Sequence, residues 1–451
     1  MTPGAGNGGD PARRIALSCR LVARVGFRSL AISAALSCVA QSVTASPAEQ
    51  FGFGPRSQAM AGVGTAVGRG VDTTYANPAL LSAQHHREFT FGWQSTRFAL
   101  WADGPNAPGD LDEEGLHGTT IGVVLPVPFG GFLEDRVTLG LGVFTPSTLI
   151  ARARLLYPER AQFPVITDRA QTLNFNAGGG VDLGYGLRVG AGALALAELV
   201  GTVVVRTDST GRVGTAVDDQ LIATYAPVAG VSWDFTRDTT AGLVYRGALR
   251  GDFDVLVQVN DLGSLTVPDL NITGVAQYDP AQLQLEVGHR MGPWTFAVAA
   301  TYKRWGAFDG WQRPTVTCPS SQPDCAALRP DPVEFHDTVV PRLAAAYAFE
   351  LSPDAKAEVR AGYFWEPTPV GEQTSAANYF DNDRHALGLG YGVELAEPLP
   401  PIRVDFVYQH QVLAPRTHTK DASVPSDNPG YPKVKTGGHV MSTGVALGVK
   451  F

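Results

Sequence analysis

The sequence predicts an all-β protein: a membrane-spanning antiparallel barrel of about 14 strands. Three observations carry that expectation. Apolar residues alternate with Gly, Ala, Thr or Asn along many segments of strand length. Gly is abundant, at 51 of 451 residues, while charged residues make up only 17%, well under the roughly 25% of soluble domains. An export-like N-terminus precedes all of this. Helical membrane proteins show apolar runs of about 20 residues instead.

Residues 1–48 read as a removed signal peptide. Arg13, Arg14, Arg20, Arg24 and Arg28 form a positive region, and Leu30 to Ala40 a short apolar one. Small residues at Ala45, Ser46 and Ala48 permit cleavage near Ala45 or Ala48. Residues 49–86 have too many Gly for a stable helix and no sustained period of two. They read as a compact irregular segment, and residues 87–451 as the barrel.

The strands follow in order. Phe89, Phe91 and Trp93 oppose Thr90, Gly92 and Gln94. Val137, Leu139, Leu141 and Val143 oppose Thr138, Gly140 and Gly142. Phe175, Ala177, Gly179 and Val181 oppose Asn174, Asn176, Gly178 and Gly180. The same pattern recurs from Trp294 to Lys303, from Ile402 to Gln409, and in the last strand from Val445 to Phe451. A soluble sandwich would bury the apolar face. In a barrel it meets lipid, and the small or polar face lines the lumen. Val189 to Val205 is nearly all apolar, yet it contains Gly190, Gly192, Glu198 and Gly201 and reads as a long strand. Trp93, Trp101, Trp294, Trp305 and Tyr363 lie near strand ends, where interfacial girdles form. Pro-, Asp-, Asn- and Ser-rich stretches at 102–114, 150–169, 306–335 and 413–436 read as long outer loops; turns such as Asp182 to Leu187 and Arg290 to Pro293 read as short periplasmic ones.

Cys318 and Cys325 lie in a Pro/Ser/Asp-rich stretch. Such a close pair suits a loop disulfide in an oxidising compartment. A zinc site would need two further ligands, with His336 and Asp324 nearest. No basic block follows the N-terminus, which argues against nucleic acid as a partner. No G-x-S-x-G or other nucleophile motif points to an enzyme, and no motif calls for a cofactor.

Three blocks resemble the FadL/TodX family of outer-membrane proteins. The first is GVGTAVGRGVDTTYANPALL, with Asp72, Tyr75, Asn77, Pro78 and Ala79 at the family's positions. The second is YKRWGAF, Tyr302 to Phe308. The third is RAGYFWEPTPV with NYFDNDRHALGLG, carrying Arg360, Gly362, Pro367, Pro369, Val370, Asp381, Asp383 and Arg384. The resemblance spans about residues 48–451. It implies a monomeric 14-stranded barrel in the outer membrane of a Gram-negative bacterium, delivered by the barrel-assembly machinery, with residues 49–86 as a hatch plugging the lumen. It implies passive, inward transport of hydrophobic small molecules, long-chain fatty acids first and aromatic hydrocarbons as the other candidate, by binding in an apolar lumen pocket and release into outer-membrane lipid through a gap at an inward kink in the third strand.

By the same resemblance, Asn77, Pro78 and Ala79 are the gating residues of the hatch. Leu149, Ile150, Leu155, Leu156 and Phe163 are candidate ligand linings after the third strand. Arg152, Arg154, Arg246, His336 and Arg342 are candidate partners for a fatty-acid carboxylate. The Asp381–Asp383–Arg384 cluster reads as a pin for loop geometry. A different class of function, a non-transporting barrel serving as an assembly platform for exported proteins, predicts a filled lumen without a ligand pocket.

Overall fold

The computed structural model describes residues 47–147, 158–167, 173–207, 213–260, 270–316, 333–396 and 400–451. Fourteen strands form the barrel. They are β1 (Glu88–Asp103), β2 (Leu116–Val127), β3 (Val137–Pro146), β4 (Asn174–Gly184) and β5 (Leu187–Thr207). Then come β6 (Val213–Asp234), β7 (Thr239–Arg246), β8 (Gln282–Met291), β9 (Trp294–Lys303) and β10 (Thr338–Ser352). The last are β11 (Ala355–Glu366), β12 (Arg384–Leu395), β13 (Ile402–Thr419) and β14 (Lys433–Lys450). Each pairs antiparallel with its neighbour, and β14 returns to β1 from Glu88↔Lys450 to Asp103↔Lys435. Closure leaves no edge to be satisfied in lipid.

Period-two patterning fixes which way each side chain points. On β8, Leu285 is 54% exposed while Glu286 beside it is fully buried. Phe91, Leu141, Phe296, Leu343, Leu389 and Phe406 are likewise exposed, a concentration of surface apolar groups that fits lipid and not water. The apolar stretch around Val189 lies in β5, as its glycines suggested. Trp93 and Trp294 stand on the outer surface. Trp305 does not: it is buried in an aromatic cluster with Tyr278, Phe308, Trp311 and Phe335 above β9. A tryptophan at a strand end looks the same in sequence whether it faces lipid or packs a loop.

The turns Asp182 to Leu187 and Arg290 to Pro293 are short hairpins. The loop expected at 413–436 is shorter, 420–432, because β13 and β14 stay paired from Arg416↔Thr436 to Thr419↔Lys433. Conversely, 247–281 holds an outer hairpin of Leu249–Asn260 and Leu270–Asp279. Leu249–Asn260 crosses to pair in parallel with β5, from Val200↔Asp254 to Arg206↔Asn260.

Residues 47–83 fold inside the barrel as short helices α1 (Pro47–Phe51), α2 (Pro55–Ala59) and α3 (Thr73–Ala76), with a 3-10 turn at Pro78–Ala83. They pack against inward-facing glycines. Val71 sits over Gly122 of β2, Thr74 and Leu81 over Gly140 and Phe53 over Gly142 of β3. Thr65 sits over Gly242 of β7, Val67 over Gly288 of β8, Met60 over Gly362 of β11 and Ala59 over Gly388 of β12. A chain that already fills the lumen needs a wall without side chains at its own level. The high glycine content thus has a position as well as a face.

Candidate functional site

The Asn77-Pro78-Ala79 turn is built locally and then bolted to the wall. Asn77 Oδ1 accepts the N–H of Ala79 at 3.1 Å, capping the turn in the way Asn favours. Pro78 fits the first helical position, where its missing N–H costs nothing. Asn77 Nδ2 donates to the carbonyl of Thr65 at 2.7 Å and of Val231 on β6 at 3.1 Å. Beneath the turn lie Gly178 and Gly180 of β4, Gly190 of β5 and Gly230 of β6. A Cβ on Gly180 would stand 2.5 Å from the Pro78 carbonyl oxygen, so side chains are excluded there. The motif therefore docks on β4–β6. The ladders of β3 run with consecutive partners on both sides, Gly118↔Pro146 to Val127↔Val137 and Val137↔Val181 to Phe144↔Asn174; the kink expected in β3 does not interrupt its register.

Glu286 provides a second bolt. Its carboxylate accepts four successive N–H groups, from Gly64 at 2.8 Å, Thr65 at 2.7 Å, Ala66 at 2.9 Å and Val67 at 3.1 Å. Four converging donors form a preorganised anion cradle, here closed by the barrel's own side chain. Nearer the periplasmic end, Arg56 of α2 pairs with Glu358, and Arg360 and Arg403 both hold Asp405 at 2.7 Å. Asp72 accepts the Ser57 N–H at 2.9 Å.

Above these bolts is a small cavity of about 20 Å³ lined by Phe51, Tyr75, Arg246, Gln282, Gln284, Arg342 and Phe364, among others. Arg246 donates to the carbonyls of Tyr75 at 3.0 Å and Ala76 at 2.9 Å, and lies 4.5 Å over the Tyr75 ring. Arg342 donates to the Ala61 carbonyl at 2.7 Å and lies 4.7 Å over Phe364. Neither forms an ion pair among the described residues; carbonyls and aromatic faces hold both. Glu49, also in the cavity wall, pairs with Lys303, which bonds Glu366 at 2.5 Å; Arg384 joins Glu366 at 2.8 Å. Two guanidiniums therefore face the cavity without a direct carboxylate contact among the described residues, while the Glu49 carboxylate in the same wall is taken up by Lys303.

Beside the cavity runs one contiguous apolar cluster. It starts in the outer connection after β3, at Phe163 and at Ile166 of helix α4 (Pro164–Thr167). It continues through Phe51, Phe53, Tyr75 and Leu81 of the lumenal segment. It ends on Phe144 of β3, Leu194 and Leu196 of β5, Val228 of β6 and Val244 of β7. Gln50 Nε2 ties α1 to the Ile166 carbonyl at 3.1 Å.

The structure thus brings Phe163, Arg246, Arg342 and the Asn77-Pro78-Ala79 turn to one lumen. His336 stands apart: it is exposed, and its N–H serves the Pro369 carbonyl at 2.9 Å. Leu149, Ile150, Arg152, Arg154, Leu155 and Leu156, and the pair Cys318 and Cys325, lie outside the described residues. Asp381 and Asp383 bind Thr368, at 2.6 Å and 2.9 Å, as a loop pin would; burial pushes the Asp381 carboxyl up to about 6. Glu286 and Lys303 escaped the sequence reading. Their one signal was a charge on the inward beat of an alternating strand.

The family described as outer membrane protein transport protein (OMPP1/FadL/TodX) matches residues 33–451. The chain is 23% identical to alkane uptake protein A of Marinobacter nauticus over 429 residues, 88% of this chain and 90% of that protein. Among solved structures it is similar to a Pseudomonas aeruginosa FadL homologue, at 14% identity and a TM-score of 0.55, covering 88% of this chain and 97% of that one. It is also similar to the Pseudomonas putida toluene transporter TodX, at 16% identity and a TM-score of 0.54, covering 88% and 98%.

Proposed function

The chain belongs to the OMPP1/FadL/TodX family of outer-membrane transport proteins, which are channels and not enzymes, and from that premise we propose that it carries long-chain fatty acids inward by passive transport. The observation that supports this most is the apolar cluster running unbroken from Phe163 outside, past Tyr75, to Val228 on the wall. Each methylene that leaves water gains ~0.8 kcal/mol, so an acyl chain follows a continuous apolar track where a water-filled pore offers it nothing. Arg246 and Arg342 at the adjoining cavity suit the carboxylate.

Release is lateral in this reading. If the Asn77-Pro78-Ala79 turn moves off its floor, it uncovers the thinnest part of the wall. There Gly178, Gly180, Gly190 and Gly192 face inward, and Ala177, Gly179, Ala191 and Ala193 face outward. The exit then lies at β4–β5, one strand beyond the third.

The relative named for alkane uptake favours a second reading, in which the solute is an uncharged hydrocarbon. Uptake of radiolabelled palmitate and hexadecane by liposomes holding the full chain separates the two. Palmitate uptake supports the first. Hexadecane uptake without palmitate uptake leaves the second standing, and uptake of neither overturns both.

A further inference from the structure

Two lumen-facing side chains have no role in the scheme above. Asn174 and Asn176 are successive inward residues of β4, and both are fully buried. Among the described residues, neither the amide nitrogen nor the carbonyl oxygen of either has a hydrogen-bond partner. Leaving a buried polar atom unmatched costs more than a hydrogen bond returns, so an orphaned pair on one face of one strand is unlike core packing.

Their surroundings are apolar. Asn174 is flanked by Phe144 on β3 and Leu196 on β5, Asn176 by Gly142 and Leu194. Phe53 and Thr74 of the lumenal segment lie over Gly142. One step further down β4 come Gly178 and Gly180, the floor of the Asn77-Pro78-Ala79 turn. The amides therefore stand between the outer loop cluster and the turn, along the apolar track itself.

We propose that Asn174 and Asn176 form a binding subsite for the uncharged hydrogen-bonding head of an otherwise apolar solute: a hydroxyl, a carbonyl or an undissociated carboxyl. An amide pair offers two acceptor oxygens and four N–H donors without a charge. It can match a neutral head in either polarity, and it gives an anionic head no counter-charge. This subsite rests on the transport reading and narrows it: the cation-lined cavity near Arg246 takes charged heads, while β4 takes neutral ones.

The test compares n-dodecane with 1-dodecanol, which share one chain and differ by one hydroxyl. Uptake into liposomes holding the full chain is measured for wild type, Asn174→Leu/Asn176→Leu and Asn174→Ser/Asn176→Ser, with Tm alongside. We expect the leucine variant to lower the dodecanol-to-dodecane uptake ratio about tenfold, with dodecane uptake within about twofold of wild type and Tm unchanged or raised. The serine variant, which keeps a donor and acceptor, recovers part of the ratio. An unchanged ratio in a folded leucine variant overturns the subsite and leaves the transport reading intact. Wild-type uptake of neither compound overturns both.

Discussion

Glu286 of β8 accepts the backbone N–H of Thr65 at 2.7 Å, and the three neighbouring N–H groups turn toward the same carboxylate. One barrel side chain thereby satisfies four buried donors of a segment more than two hundred residues away. That makes it the most concentrated attachment of the lumenal segment, and removing it is the sharpest way to loosen the plug without touching the apolar track.

We expect Glu286→Ala to destabilise docking by on the order of 3 kcal/mol, since a charged acceptor is lost and buried donors are left unmatched. Glu286→Gln, which keeps two lone pairs, should cost less. Planar-bilayer conductance checks this: the alanine variant should show frequent openings where wild type is quiet, with glutamine between.

The glycine floor makes a steric prediction. A side chain on Gly190 would meet the backbone of Pro78 and Ala79. Gly190→Val should therefore expel the turn while the β4–β5 ladder stays paired, since valine favours strands. Limited proteolysis should then cut within 47–83, and heat-modifiable migration of the barrel should persist. Asn77→Ala removes the cap and both bonds to Thr65 and Val231, and should cost about 1–2 kcal/mol.

Docking should depend on pH through Asp72. Desolvation pushes this carboxyl from 3.8 up to about 7, against the Ser57 N–H and with Arg403 and Arg56 opposing and Asp405 adding to it. The folded protein thus holds the Asp72 proton more tightly than the unfolded chain. Its contribution to stability is complete below about pH 4 and is lost as pH rises through about 7. Asp72→Asn carries no such proton. The stability of wild type relative to this variant should fall by on the order of 2 kcal/mol between pH 4 and pH 8 in urea unfolding.

The cavity charge should sort solutes. Arg342→Met removes the guanidinium that lies over Phe364 and keeps an unbranched apolar stem. Palmitate affinity should drop roughly tenfold, the scale of one charge-assisted bond, while hexadecane affinity holds. Equilibrium binding in nanodiscs with both labelled compounds checks this.

Much of this architecture is legible in residues that obey a local period. Phe89, Phe91 and Trp93 announce their face because a strand turns each residue by half a revolution, and the barrel follows from repeating that signal. The Asn-Pro-Ala turn is legible for the same reason: its chemistry is local. What the turn rests on is not. Gly178, Gly190 and Gly230 lie on three strands, and nothing in their spacing ties them to Asn77. Arg246 and Arg342 could be listed as cations, but only the fold shows that both meet one cavity while His336 faces away. Glu286 hides in QLQLEVGHRM as one more inward residue, because its partners are backbone groups that carry no sequence signature. Trp305 misleads, since an aromatic ring at a strand end suits lipid and loop core equally.

The proposed transport requires movement of the lumenal segment, and a reversible lock tests it. A Cβ on Gly288 would lie 3.7 Å from the Val67 Cβ, within disulfide range. In a background with Cys318 and Cys325 replaced by Ser, Val67→Cys/Gly288→Cys should tie the segment to β8 when oxidised. Hexadecane and palmitate uptake by liposomes should fall to background in the oxidised protein and return on reduction. Uptake by the oxidised protein at the reduced rate would contradict the account, because solute would then be passing a plug that cannot move.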